Sequence, residues 1–553
     1  VKAVDFTRGG EPLEPAARPS TVETPRGLSV LYRGRFLYSR YDPQKSPVEA
    51  ARAAAIPDET LVICPSPVLG YGLSELLGSI PARSFVLALE ADENLMALSA
   101  ERIPRDILIN PKLKLIRTAS VARVIETVDA LGQGPFRRVV RLDLSGGAAL
   151  NLDFYREVQA GIEEYISRWW RNHVTLMRLG RNYARNFFSN CHSLPASFAL
   201  PAHTITRPIV VAGAGPSLDG SLRLIAENRE RIFLLAVDTA LPALRDSGIV
   251  PDAAVLVESQ FWITRAFIGF RGSRLPVYAD LTANPEAALA TGGPLHFFHT
   301  AYANARFLTR FAGYGLSPQS VTPLGSVGLS ALELALAVSA PEVPILFTGL
   351  DFSWGTGFTH SRGAPASLDA FARGDRLSPA ERSAISDSPA IATVIGKDGA
   401  PARTDPALSG YAALCAARFG SEGRLFDFGS SGIPTGCALV STDETRSMIA
   451  GFAPSPLPDR TRASVDESRL TAFLAEEKGR LRAIRAILTG QDAREDGEAD
   501  RLREYVEESD YLYLHFPDGY RGYSASDAFL RRIRIELEYF LKTIEHPRAI
   551  ART

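Results

Sequence analysis

Two turns in this sequence bring glycine and serine together where an apolar strand gives way to a helix, and both are suited to holding an anion. The first lies in PIVVAGAGPSLDGSLRLIAE, where the strand-like run enters Gly213-Ala214-Gly215-Pro216-Ser217 and a helix follows with Leu218, Leu222, Leu224 and Ile225 at apolar spacing. Free backbone N–H groups and the positive end of a helix dipole make such a junction an anion site. Gly213 and Gly215 let the backbone come close to a phosphate, Pro216 pre-sets a helical φ, and the Ser217 hydroxyl can cap the helix or touch the ligand. Position 218 is leucine where a dinucleotide fingerprint has its third glycine, so the loop is not built for NAD.

The second turn, Gly325-Ser326, stands immediately before a helix apolar on every side, and therefore buried, that leads into the strand PILFTGLDF. In an open parallel sheet both turns fall at the carboxyl ends of strands, so the expectation is a phosphate gripped from two sides. Polar residues closing successive strands reach the same edge: Asp238 and Thr239, then Glu258, Ser259 and Gln260, then Asp280, and the run Gly349-Leu350-Asp351-Phe352. They suit the base and ribose of a nucleotide; helix capping and turn formation account for about half of such residues.

The elements that carry these turns belong to an α/β chain. Residues 1–150 alternate strand and helix signals (ETLVICPSP, SFVLALEAD, LKLIRTA, RRVVRLDL), the pattern of a parallel sheet with crossover helices. Glu90 closes the second of those strands, the placement of a ribose-binding acid, although the loop at Ser66–Gly72 is poor in glycine and interrupted by Pro67. Residues 154–188 read as one long amphipathic helix or a helical pair. A second α/β domain follows within 151–450, with strands IVVAG, IFLLAVD, AAVLVES, PVYAD, LHFFHT, VPILFTGLD and RLFDFG, and amphipathic helices fill a C-terminal domain, 451–553.

Composition excludes several classes. With 61 Lys+Arg against 62 Asp+Glu the net charge is −1, without the basic footprint of a nucleic-acid binder. The cysteines at 64, 191, 415 and 437 match neither a zinc spacing nor a disulfide scaffold. The opening VKAVDFTRGGEPLEP is not a secretory signal, and no apolar run reaches the roughly 20 residues of a membrane helix. A cytoplasmic protein without a membrane span is expected.

GAGPSLD, VDTAL, SGIVPDAAVLVES, LGSVGLSALELALAVSAPEVPILFTGLDF with His360 shortly after, and RLFDFGSSGIPTGCAL together resemble the motility accessory factor family of flagellin glycosyltransferases. GRFLYSRYDP and VLGYGL resemble that family's N-terminal domain, so the likeness covers nearly the whole chain. The central part is also similar to bacterial sialyltransferases that use a CMP-activated donor, with their Ser-Gly pair appearing here in reversed order as Gly325-Ser326. The resemblance implies a Rossmann-like N-terminal domain and a sialyltransferase-like catalytic domain. It also implies a CMP-activated nonulosonate donor (pseudaminic, legionaminic or sialic acid type) and a flagellin Ser or Thr acceptor. A loop with fewer glycines then fits a nucleoside monophosphate leaving group.

Transfer from such a donor needs a base for the acceptor hydroxyl, stabilisation of the departing phosphate, and recognition of the sugar carboxylate. A near-neutral histidine suits the first task. His360 is the preferred base and His299 its rival; Tyr302 is placed to help at the phosphate, and Arg265, Arg306 and Arg362 are the candidates for the carboxylate. Helix dipoles and the Ser217 and Ser326 hydroxyls would stabilise the phosphate with no cofactor and no metal. Two other readings stand beside this one. A pterin-type pyrophosphokinase would use ATP and Mg²⁺ held by Asp238, Glu258 and Asp351. A non-catalytic assembly factor would bind flagellin through the outer domains.

Overall fold

The structure, a computed structural model, describes residues 18–131, 136–300, 305–355, 357–384, 390–490 and 497–545. The chain divides into two compact units, Val1–Thr175 and Leu176–Thr553. Tyr302 lies outside the described residues.

In the first unit a parallel sheet has the order Leu113–Arg117, Phe85–Glu90, Thr60–Pro65, Arg138–Arg141. Successive side chains of a strand point to opposite faces. Leu61, Ile63, Phe85, Leu87 and Leu89 accordingly pack with Val124, Tyr155, Val158 and Ile162, while Val62, Cys64, Val86 and Ala88 pack with Ala51, Leu73 and Leu76. Both faces are covered, which is why these strands read as unbroken apolar runs. The residues 154–188 lie in one helix, Leu152–Cys191.

The second unit is built on a nine-stranded sheet. Its order is Ser320–Val321, Leu295–Thr300, Val277–Asp280, Ala253–Leu256, Phe233–Val237, Ile209–Ala212, Ile345–Thr348, Leu425–Asp427, Ala438–Leu439, and every neighbouring pair is parallel. The two short edge strands escape the sequence reading because two residues carry no periodicity. Strand order turns back between Ile209–Ala212 and Ile345–Thr348, so the crevice of an open α/β fold opens at their carboxyl ends.

The helices after residue 450 pack onto the sheet. Helices Glu467–Thr489 and Asp527–Glu545 share one continuous core with the sheet, in which Phe187, Phe311, Phe473, Tyr511 and Phe540 interlock. The fully buried Glu477 receives Arg310 at 2.6 Å, Arg480 at 2.8 Å and the Tyr511 hydroxyl at 3.1 Å. Asp510 accepts from the Arg306 and Phe307 N–H groups that open helix Arg306–Gly313. Amphipathic periodicity announces a buried face but not the surface that covers it. Among the described residues no helix is long and apolar enough to cross a membrane.

Candidate active site

The crevice is shaped by two loops that cross in contact. Gly213 N–H donates to the Thr348 carbonyl and Gly215 N–H to the Gly349 carbonyl, each at 2.8 Å. A Cβ on Gly213 would lie 2.3 Å from the Gly349 oxygen, and one on Gly349, whose φ is +70°, 2.2 Å from the Gly213 oxygen. These glycines are required by the crossing itself.

Ser217 opens helix Ser217–Glu227 as expected, but its polar atoms are committed within the protein. Its N–H donates to Asp351 Oδ2 at 2.8 Å, its hydroxyl to Asp351 Oδ1 at 2.5 Å, and its Oγ accepts from Gly349 N–H at 2.9 Å. The anion at this helix opening is thus the protein's own carboxylate, where the sequence suggested a phosphate. Burial pushes Asp351 up to about 6, against the Ser217 hydrogen bonds that pull it down. The following Phe352 is held at φ +50°, a conformation a bulky residue rarely adopts.

The second opening has no side-chain cap among the described residues. Ser326 precedes helix Val327–Val338 and makes no capping hydrogen bond, Gly325 (φ +73°) is exposed, and a Cβ there would meet the Tyr411 ring at 3.2 Å. Right-handed crossovers running in opposite directions place the helices that begin at 217 and 327 on opposite faces of the sheet. They still open at one edge, joined through a single side chain. A Cβ on Gly213 would lie 2.5 Å from Leu350 Cδ2, and one on Gly328 2.4 Å from the same methyl.

Along this edge several buried polar atoms have no hydrogen-bond partner among the described residues: Asp238 Oδ2, Ser259 Oγ, His299 Nδ1 and Ser361 Oγ. Unpartnered buried groups are rare in folded proteins and call for a ligand or ordered water. Their neighbours are settled. Asp280 accepts from the N–H and hydroxyl of both Thr282 and Thr300, and Glu258 accepts from Gln260 N–H at 2.8 Å, so these two serve their turns. Asp238 accepts from Thr239 N–H at 2.6 Å. Helix Leu152–Cys191 supplies two further residues: Asn186 donates to the carbonyls of Ser259 and Thr282, and Asn190 to those of Leu281 and Ala283. An Asn four residues after another on an otherwise apolar stripe was the available signal.

Asp238 is 1% exposed, and burial pushes its carboxyl up to about 7, assisted by Glu258. The folded state therefore keeps a proton that the unfolded chain releases near its ordinary value of about 3.9. Stability contributed by the neutral form is present at acid pH and lost as pH rises through about 7. Asp238→Asn, which retains an oxygen for Thr239 N–H, is expected to match the parent near pH 4.5 and exceed it at pH 8 by on the order of 3 kcal/mol in urea unfolding. A difference independent of pH contradicts this assignment.

His360 lies in a loop tied to the first turn. Ser361 N–H donates to the Ala214 carbonyl at 2.8 Å, Arg362 N–H to Asp219, and Gly363 abuts Ala243, where a Cβ would lie 2.5 Å from Cα. His360 Nδ1 is 2.9 Å from Thr359 Oγ1, and burial lowers its pKa. His299 is also lowered by burial, with Asp280 opposing. Of the arginines, Arg265 bonds Asp369 through two nitrogens (2.9 and 2.6 Å) and Arg306 pairs with Glu507 and Glu508. The structure adds Lys397, 4% exposed in its side chain, which grips both oxygens of buried Asp427 at 2.8 Å beside Gly429 and Ser217.

In the first unit Glu90 turns into its own loop. It accepts from the Ser66 hydroxyl at 2.7 Å and Asp92 N–H at 2.9 Å, and burial pushes it up to about 7. Ser66 (φ +44°) and Val68 (φ +50°) fold the loop back on this carboxylate, so Glu90 is taken up by its own turn.

Residues 181–357 match the family model described as 6-hydroxymethylpterin diphosphokinase MptE-like. An uncharacterized protein of Treponema pallidum (strain Nichols) is 36% identical over 561 residues, covering 96% of each chain. The solved MAf glycosyltransferase from Magnetospirillum magneticum AMB-1 superposes with a TM-score of 0.60 over 97% of this chain and 93% of that one, at 15% identity.

Proposed function

We propose that this chain, which belongs to one family with the Treponema pallidum protein and has the fold of the MAf glycosyltransferase, is itself a glycosyltransferase with its active site at the carboxyl edge of the nine-stranded sheet. The observation that carries the reading is the run of buried atoms on Asp238, Ser259, His299 and Ser361 without a partner among the described residues, at the sheet edge where the uncapped helix Val327–Val338 opens. The donor is a CMP-activated nonulosonate. Its phosphate lies at the Ser326–Gly328 N–H groups, and its nucleoside runs toward Ser259 and Asp238. His360 takes the proton of the acceptor hydroxyl as that oxygen bonds to the anomeric carbon, and the bond to the CMP phosphate oxygen breaks. Ser217 and Asp351 act behind the reacting groups, holding the two loops in register. A flagellin Ser or Thr is the acceptor.

The family model at 181–357 favours a second reading, a pterin pyrophosphokinase. That chemistry gathers carboxylates around Mg²⁺ and the ATP phosphates. Asp351 is committed to Ser217, Glu258 accepts from Gln260, and among the described residues no group of three or more His, Cys, Asp or Glu side chains could hold a metal ion. A ligand of the folded state raises the melting temperature by mass action. CMP is expected to raise it more than ADP with Mg²⁺ at equal concentration; the reverse ranking would establish the pyrophosphokinase reading.

A further inference from the structure

We propose that a second ligand site lies at the amino edge of the same sheet and takes a small carboxylate with an apolar body. A cavity of about 250 Å³ sits where the strands Phe233–Val237, Val277–Asp280 and Leu295–Thr300 begin, the edge opposite the candidate active site. Its outer wall is the segment 457–461, and that wall is fastened. Ala199 N–H donates to the Thr461 carbonyl at 2.9 Å, Ala463 N–H to the Ser197 carbonyl at 3.1 Å, and the Arg462 guanidinium covers the Phe198 ring at 4.3 Å.

The polar groups that line the cavity are few. Tyr278 is 3% exposed, and its hydroxyl has no hydrogen-bond partner among the described residues. His296, whose ring centroid is 4.8 Å from that of Tyr278, commits Nδ1 to the Ala199 carbonyl at 2.8 Å and keeps Nε2 as its remaining polar atom. Burial brings His296 down to about 4, so the ring is neutral at pH 7; with Nδ1–H donating to the Ala199 carbonyl, Nε2 is an acceptor and leaves the anion to Tyr278 and Arg460. Arg460 is exposed and has no carboxylate partner among the described residues. It lines the same cavity as Tyr278 and His296. The lining carboxylate of Asp252 pairs with Arg229 at 2.9 Å and accepts from Leu234 N–H at 2.7 Å. Asp459 is exposed at the rim.

An unpaired guanidinium, a phenol without a partner and walls such as Leu200 and Phe233 are the complement of an anion carried on an apolar body. The volume equals roughly eight waters, which accommodates benzoate. This site is separate from the proposed transfer reaction and stands whether or not that reaction is correct.

Calorimetric titration of the full chain with benzoate, benzyl alcohol and inorganic phosphate tests it. Benzoate is expected to bind about tenfold or more tightly than either of the others, since one lacks the charge and the other the apolar body. Arg460→Ala should weaken benzoate at least about tenfold, and Tyr278→Phe, which keeps the ring, severalfold. Absence of benzoate binding, equal affinity for benzyl alcohol or phosphate, or undiminished affinity in Arg460→Ala each overturns the proposal.

Discussion

Replacing His360 with alanine is expected to lower sugar transfer by about 10²- to 10⁴-fold, the contribution typical of a positioned general base, while the rise in melting temperature produced by CMP is retained. The expectation rests on how the ring is held. Its loop is bonded to the first turn through Ser361 and Ala214, and Thr359 occupies Nδ1, so Nε2 is the atom left for the acceptor. Burial lowers the pKa, which keeps the ring unprotonated at neutral pH. A base works only when deprotonated, so the rate should fall on the acid side, with its limb below the ordinary histidine value. His299→Ala, at a residue whose pKa burial also lowers, is expected to cost less than about tenfold. Mass spectrometry of flagellin co-expressed with each variant and the donor pathway separates them. Transfer retained in His360→Ala and abolished in His299→Ala would exchange the two roles.

Much of the fold was legible because parallel strands buried on both faces write themselves as short apolar runs. IVVAG, IFLLAVD and PILFT each became a central strand, and the all-apolar stretch from Val327 became a helix covered by protein. The edge where polar residues collect followed from topology. Partners within that edge were not legible, because they are distant in sequence. Ser217 and Asp351 are 134 positions apart, and nothing in GAGPS signals that a carboxylate from the next loop will take the helix opening. The glycines were seen, but their reason was not: the crossing of two backbones demands at 213 and 349 what a phosphate would have demanded. Glu90 is the same lesson in the other unit, where a strand-end acid was visible and its commitment to Ser66 was not.

Lys397→Met is expected to destabilise the protein by about 3 to 5 kcal/mol, the loss seen when one member of a buried ion pair is removed and the other stays. Lys397 and Asp427 are 4% and 1% exposed in their side chains, so the charge left on Asp427 would have little water to turn to. Gly429 N–H at 3.0 Å and the Thr435 hydroxyl at 3.1 Å are its remaining donors. Removing both charges is a different experiment, because replacing a buried pair with apolar groups is often neutral. The double variant Lys397→Met/Asp427→Leu should therefore recover most of the lost stability in urea unfolding. A single-variant loss below about 1 kcal/mol would mean that the pair is solvated as surface pairs are. Function should follow the same order. A Cβ at Gly429 would sit 2.8 Å from Ser217 Oγ and 3.1 Å from Lys397 Nζ, and Lys397 also draws down the pKa of Asp351, which Asp427 pushes up. Loss of the lysine therefore acts on the Ser217–Asp351 clamp that sets the spacing of the two loops, and the melting response to CMP should weaken in the single variant and return in the double one.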